Sequence, residues 1–104
     1  MTHANLFATV LSIFKQATDG GVFTADMQAR YLAALEAGPK LSYADAQYLK
    51  DFFQDMVGMS MLRAAVSIAD EAKRRGLERE HEMKVATVKE EQSYLVALGA
   101  NYPV

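Results

Sequence analysis

The sequence has no cysteine and only two histidines among its 104 residues. Without cysteine there are no disulfide bonds, thiolate metal ligands or thiol nucleophiles, and the composition is consistent with a reducing compartment. Two histidines offer few groups for acid–base chemistry near neutral pH, and no serine lies in the motif of a nucleophile elbow. We therefore expect neither an enzyme nor a bound cofactor.

The sequence also lacks a long apolar run. Its most apolar stretch, residues 56–69, covers 14 residues and includes Arg63. A helix needs about 20 apolar residues to cross a bilayer, so we expect a buried helix here and no membrane anchor. The first residues show no basic run followed by an apolar segment and a cleavage site. These features predict a cytoplasmic protein.

The sequence also lacks a large excess of charge of one sign, since the net charge is -2 and the pI is about 5.6. Such a chain has no long-range field that would attract a nucleic acid. The one basic cluster is interleaved with acidic residues that cancel its charge: Lys73, Arg74, Arg75 and Arg79 lie among Glu71, Glu78, Glu80 and Glu82. We expect no direct binding to DNA or RNA.

The sequence is rich in apolar residues, which make up 51% of the chain, and charged residues make up 23%. This balance is typical of a globular protein, and the length predicts a single domain over residues 1–104. A chain this short buries only about 60–70% of the surface that its unfolded form exposes. Self-association is a common way to cover the remaining apolar area.

Two short helices are predicted first. Residues 4–18 carry an apolar face with helical spacing, which ends at Asp19, Gly20 and Gly21. Thr24 is a suitable N-cap for a second helix over residues 25–37. Gly38 and Pro39 end that helix, because glycine suits a left-handed cap and proline disfavours helix in the residue before it.

A long third helix begins at Ser42, with Asp45 three residues later as in a capping box, and is expected to reach at least Arg75. At 1.5 Å per residue it would be about 50 Å long. Its middle is apolar on nearly every side, so it must be covered on every side. Helices one and two can cover one face, and a partner or a second copy would cover the other.

A fourth helix is predicted over residues 78–98, after a break at Gly76 and Leu77 that resembles a Schellman stop. The alternative is a continuous helix through Gly76, because no capping residue follows it. A seam of residues at intervals of four and three, as in a heptad repeat, favours packing against another helix: His81, Val85, Val88, Gln92, Leu95 and Gly99. Asn101 and Pro103 are expected to release the tail. The fold prediction is an all-α bundle of about four helices with one long central helix, paired as a homodimer.

The candidate interaction site lies around a methionine-rich segment, residues 56–61, in which three of six residues are methionine. Methionine is flexible and polarisable, so clusters of it suit surfaces that adapt to a partner helix. Filling of the core is the structural alternative, and a Cu(I) site is the weakest reading because no cysteine supports it. A glycine within a helix costs about 1 kcal/mol relative to alanine, which suggests a close neighbour at Gly58. The predicted interaction residues are Phe52, Phe53, Met56, Gly58, Met59, Met61, Leu62, Ala65 and Val66.

One spacing points to metal chemistry, since Glu78 and His81 form the Glu-x-x-His pattern of di-iron bundles. A complete site needs carboxylates from two further helices, and residues 4–18 contain none. We therefore expect no metal, and a metal-binding bundle is the last of the three functional classes.

In size, helical content and lack of catalytic groups, the whole chain resembles the small all-helical bacterial antiactivators that sequester quorum-sensing transcription factors. The resemblance is one of architecture, and no motif carries it. It implies that the surface of residues 56–69, or the aromatic pair Phe52 and Phe53, enters a hydrophobic groove on a regulator. The expected function is regulatory binding that occludes a hydrophobic or dimerisation surface of another protein. A structural or assembly subunit, or a secretion chaperone, is the alternative that would use the same surface for permanent association.

Overall fold

A computed structural model describes residues 1–102, which form four helices and no strand. The helices are α1 (His3–Gly20), α2 (Ala25–Ala37), α3 (Tyr43–Ile68) and α4 (Glu71–Gly99). The predicted all-α bundle with a long third helix is therefore confirmed. Of the predicted tail residues, Asn101 lies in a turn after α4, whereas Pro103 lies outside the described residues.

The ends of α1 follow from its flanking residues. The Thr2 hydroxyl accepts a hydrogen bond from the backbone N–H of Asn5, which satisfies a free donor of the first turn. Gly21 adopts a left-handed conformation with φ 71°, and the N–H of Val22 donates a hydrogen bond to the carbonyl oxygen of Ala17. This Schellman-type end confirms that the helix stops at the predicted glycine pair.

The bounds of α2 are as predicted, but the reason for its end is not. The Thr24 hydroxyl caps the helix by accepting from the N–H of Met27. Gly38 has φ -82° and ψ 174°, which is an extended conformation and not the predicted left-handed cap. Pro39 explains this conformation, because a proline pushes the residue before it out of the helical region.

The turn between α3 and α4 differs from the prediction. The structure breaks the chain at Ala69 and Asp70, so the expected break at Gly76 is wrong. The Asp70 carboxylate accepts from the N–H of Lys73, and Glu71 adds a negative charge in the first turn of α4. The chain is helical through Gly76, as the alternative prediction had it, but that alternative did not include the break at Ala69 and Asp70.

One hydrophobic core forms where α1 lies against α3 and α4, and α2 packs beside α1 with its Tyr31 stacked on Phe53 of α3. Phe14 is at its centre and contacts the rings of Phe23, Tyr31 and Phe52 at centroid distances of 4.6–5.8 Å. The seam predicted on α4 faces this core: its members His81, Val88 and Leu95 are buried, and Val85, Gln92 and Gly99 are half-buried.

The antiparallel hairpin of α3 and α4 is longer than the helix that covers it. At 1.5 Å per residue, the 29 residues of α4 span about 43 Å, whereas the 18 residues of α1 span about 27 Å. The molecule accordingly measures 50 × 23 × 22 Å. The free end of the hairpin therefore projects beyond the core.

Replacing Gly76 with alanine tests the course of α4. A Cβ at this exposed position would meet nothing within 4 Å. We expect Gly76→Ala to raise the free energy of unfolding by about 0.5–1 kcal/mol, because alanine loses less backbone entropy in a helix than glycine does. Equilibrium urea denaturation measures the change.

Gly21→Ala is the matched control, because φ is positive there and a Cβ would lie 2.9 Å from His81 Cε1. The free energy of unfolding of this variant should fall by about 1 kcal/mol or more. A loss of stability in Gly76→Ala would show that the chain is not helical at Gly76.

Candidate interaction surface

Three of the nine predicted interaction residues belong to the core of the chain itself. Phe52, Met56 and Met59 are each at most 2% exposed. They pack beneath α1 with Phe14, Val10 and their neighbours. These three residues therefore fill the core, which was the structural alternative to a partner-facing surface. The helix apolar on every side is thus covered by its own chain at this level, and the surface open to a partner excludes these three residues.

Two further predicted residues lie at the edge of the core. Phe53 is half-buried and packs against the rings of Phe23 and Tyr31. A Cβ at Gly58 would lie 3.3 Å from Cε of Lys84. The close neighbour expected at Gly58 is therefore a lysine side chain of α4, which accounts for a small residue at this point of the hairpin.

The remaining four predicted residues, Met61, Leu62, Ala65 and Val66, lie in the projecting end of the hairpin. We call residues 61–80 the hairpin tip. No residue of the tip is buried, and its half-buried members are all apolar residues of the two helices and the turn between them: Leu62, Ala65, Val66, Ala69 and Leu77. None of these five packs against the hydrophobic core.

Two apolar side chains of α3 are largely exposed on the tip: Met61 is 67% exposed and Ile68 is 88% exposed. Their separation of seven positions corresponds to about two helical turns, so both lie on one face of α3. Ile68 is absent from the predicted site. The helix was expected to continue to Arg75, and Asp70 followed by Glu71 was the signal for an earlier end.

The tip has little to stabilise it within the chain. Its two helical segments comprise eight residues of α3 and ten of α4, and isolated helices shorter than about 12–15 residues are marginal in water. The guanidinium of Arg74 donates to the carbonyl oxygen of Ala69 at 3.0 Å and helps to close the turn. The tip therefore depends on the hairpin below it.

Polar contacts fix the hairpin to α1 just below the tip. His81 Nε2 donates to the carbonyl oxygen of Gly21 at 2.7 Å, which satisfies a carbonyl at the end of α1. The Ser60 hydroxyl hydrogen-bonds both backbone groups of Phe23. These contacts mark the level at which coverage by α1 ends.

A cluster of charged groups joins the two helices of the hairpin at the same end. Lys84 Nζ lies 3.0 Å from Oδ1 of Asp55, and the Asp55 carboxyl is hydrogen-bonded to that of Glu91. Burial first, and then the hydrogen bond and negative charge of Asp55, raise the pKa of Glu91 to about 7. Burial alone would raise the pKa of Asp55, but its hydrogen bonds to Glu91 and Lys84 and the lysine charge outweigh burial and lower it.

The residues of the Glu-x-x-His pattern are not brought together as ligands. His81 is buried and directs Nε2 to Gly21, whereas Glu78 is exposed. Within residues 1–102, no three histidine, aspartate or glutamate side chains are grouped so that they could hold a metal ion. His3 stacks on Tyr102 at 4.6 Å and has Nε2 3.1 Å from the Lys40 carbonyl oxygen.

None of the helices described here is both long enough and apolar enough to span a bilayer. Comparison of the chain with protein-family models, with curated proteins and with solved structures found no match.

Alanine substitution of two methionines separates the core from the tip. Met59→Ala should lower the free energy of unfolding by about 2–5 kcal/mol, because it leaves a cavity among buried side chains. Met61→Ala should change it by no more than about 0.5 kcal/mol, because the side chain is exposed. Chemical denaturation of both variants measures the difference, and equal losses would contradict the assignment of Met61 to an unpacked tip.

Proposed function

We propose that this chain is a non-enzymatic regulatory binding protein that uses its hairpin tip to occlude a hydrophobic or dimerisation surface of another protein. A transcriptional regulator is the target that the resemblance to small helical antiactivators suggests. The observation that carries the proposal is the exposure of Met61 and Ile68 on a projecting hairpin that has no core of its own.

The chemistry of the tip suits a groove on a helical partner. Exposed methionine and isoleucine at helical spacing are the anchors that an apolar groove accepts, and the flexibility of Met61 allows it to fit more than one contour. The tip extends about 12–15 Å beyond α1 and so can enter a cleft without a clash from the rest of the chain.

The charges of the tip favour protein over nucleic acid as the partner. Residues 61–80 contain five basic and four acidic side chains, so the tip has almost no net charge. Phosphate backbones are attracted by an excess of positive charge, which is absent here. A rim of mixed charges around apolar anchors is instead typical of a protein–protein interface.

The test is a double variant, Met61→Asp with Ile68→Asp, compared with the wild type by affinity capture from a lysate of the source cells. Each apolar anchor contributes about 1.5–3 kcal/mol to binding when it is buried at the interface. We therefore expect the amount of specific partner captured to fall by about tenfold or more. Mass spectrometry identifies the partner, and titration with the purified partner gives the affinity.

Leu32→Asp is the control, because Leu32 is 56% exposed on α2 and lies outside the tip. It should bind as the wild type does, and all three proteins should unfold at the same urea concentration. Equal loss of binding in the control and the double variant would contradict the assignment of the surface to the tip.

A second candidate is an assembly subunit in which the tip pairs with a second copy of the chain. Antiparallel pairing of two hairpins would place four helices side by side, which is the arrangement of a four-helix bundle. Sedimentation of the free protein distinguishes the candidates. A dimer that the double variant dissociates, with no heterologous partner captured, supports assembly and opposes regulation.

A further inference from the structure

Two carboxyl groups meet at the base of the hairpin, one from α3 and one from α4. They are those of Asp55 and Glu91, and they border an open cleft of about 260 Å³. The residues that line this cleft all come from α3 and α4: Tyr48, Asp51, Phe52, Asp55, Glu91 and Tyr94. Asp55 lies six residues before Met61, which is about 9 Å along α3 from the start of the tip.

The hydrogen bond between these carboxyl groups requires a proton. An ionised carboxylate can only accept hydrogen bonds, so two carboxyl groups bonded to each other must hold at least one proton between them. The ammonium of Lys84, 3.0 Å from Asp55, favours the ionised form of that residue. The proton therefore belongs to Glu91, which donates it to Asp55.

The surroundings provide nothing to replace that proton. From α3, Tyr48 and Asp51 face the cleft; from α4, Tyr94 faces it, and Lys84 and Glu90 act on the pair through their charges. Lys84 is the single cation among these groups and is already bound to Asp55. The Tyr48 hydroxyl donates to the backbone carbonyl of Glu91 at 3.0 Å and not to its side chain. Loss of the proton would leave two carboxylates facing each other across the hairpin.

We propose that the Asp55–Glu91 pair is a proton-operated latch, which ties α3 to α4 while it holds one proton and loosens the hairpin when that proton is lost. The proposal concerns the free protein and does not depend on the partner of the tip.

The direction of the pH dependence follows from the two groups. The pKa of Glu91 rises from 4.5 in the unfolded chain to about 7 in the folded one, so the folded state holds more protons between these values. The stability that this group contributes is complete below pH 4.5 and is lost as the pH rises through about 7. Asp55, whose pKa is lowered, acts oppositely and contributes stability that is lost only as the pH falls below its ordinary value of 3.8. The contribution of the pair is therefore greatest in mild acid.

Urea denaturation of the wild type and Glu91→Gln at about pH 5 and about pH 8 tests the latch. The glutamine amide donates to Asp55 at either pH, so the variant should lack the pH dependence that this pair causes. We expect the unfolding equilibrium constant of the wild type to rise about tenfold more than that of the variant between the two conditions. Glu82→Gln, which removes an exposed carboxyl of α4 that does not act on the pair, should behave as the wild type does.

The titration of Glu91 in the wild type provides a second measurement that needs no variant. Its side-chain carboxyl carbon, followed by ¹³C NMR, should titrate with a midpoint near 7. A midpoint in the ordinary glutamate range, or an equal pH dependence in the wild type and Glu91→Gln, would overturn the latch. Either result would leave the binding role of the tip intact, because neither measurement involves a partner.

Discussion

The length of α1 determines where this molecule can bury apolar side chains. Its 18 residues cover only part of a hairpin whose helices have 26 and 29 residues. As far as Ser60 and His81, the hairpin has α1 or the following loop against it, and a continuous core forms there. Beyond that level α3 and α4 have only each other, and two helices cannot enclose their own apolar residues. Exposure of the hairpin tip is thus a consequence of helix length.

The boundary between core and tip is held by polar groups. His81 and Ser60 join the hairpin to the end of α1 and to Phe23, and each hydrogen-bonds backbone groups beside the core. The carboxyl pair and Lys84 join α3 to α4 at the adjoining level. The hairpin therefore has a rigid base beneath an end with few contacts, and regions with few buried contacts are those that open or adapt at low cost.

The sequence predicted the fold class well because its signals were local. Thr24, Ser42 and the Gly20–Gly21 pair act through groups within a few residues, and each cap or stop is present in the structure. The break at Gly76 was wrong because two local signals competed, and the capping strength of Asp70 exceeded the cost of a glycine within a helix. Periodicity alone does not rank such signals.

The candidate site could be predicted only in part, because burial is set by helices distant in sequence. Met56, Met59 and Met61 are one residue type in one short segment, yet the first two lie beneath α1 and the third lies beyond its end. Their separation depends on how far α1 reaches along α3, which no pattern within α3 contains. The carboxyl pair was missed for a similar reason, since Asp55 and Glu91 are 36 residues apart and become neighbours only in the hairpin.

Residue-resolved hydrogen exchange tests the central claim, that burial ends at the level of Ser60 and His81. In the free protein, the amides of residues 61–80 should exchange much faster than those of residues 49–59 and 85–95, because opening the tip exposes no core. Addition of the captured partner should slow exchange in the tip. Uniform protection along both helices of the free monomer would contradict the account, because it would mean that the tip is as firmly packed as the core.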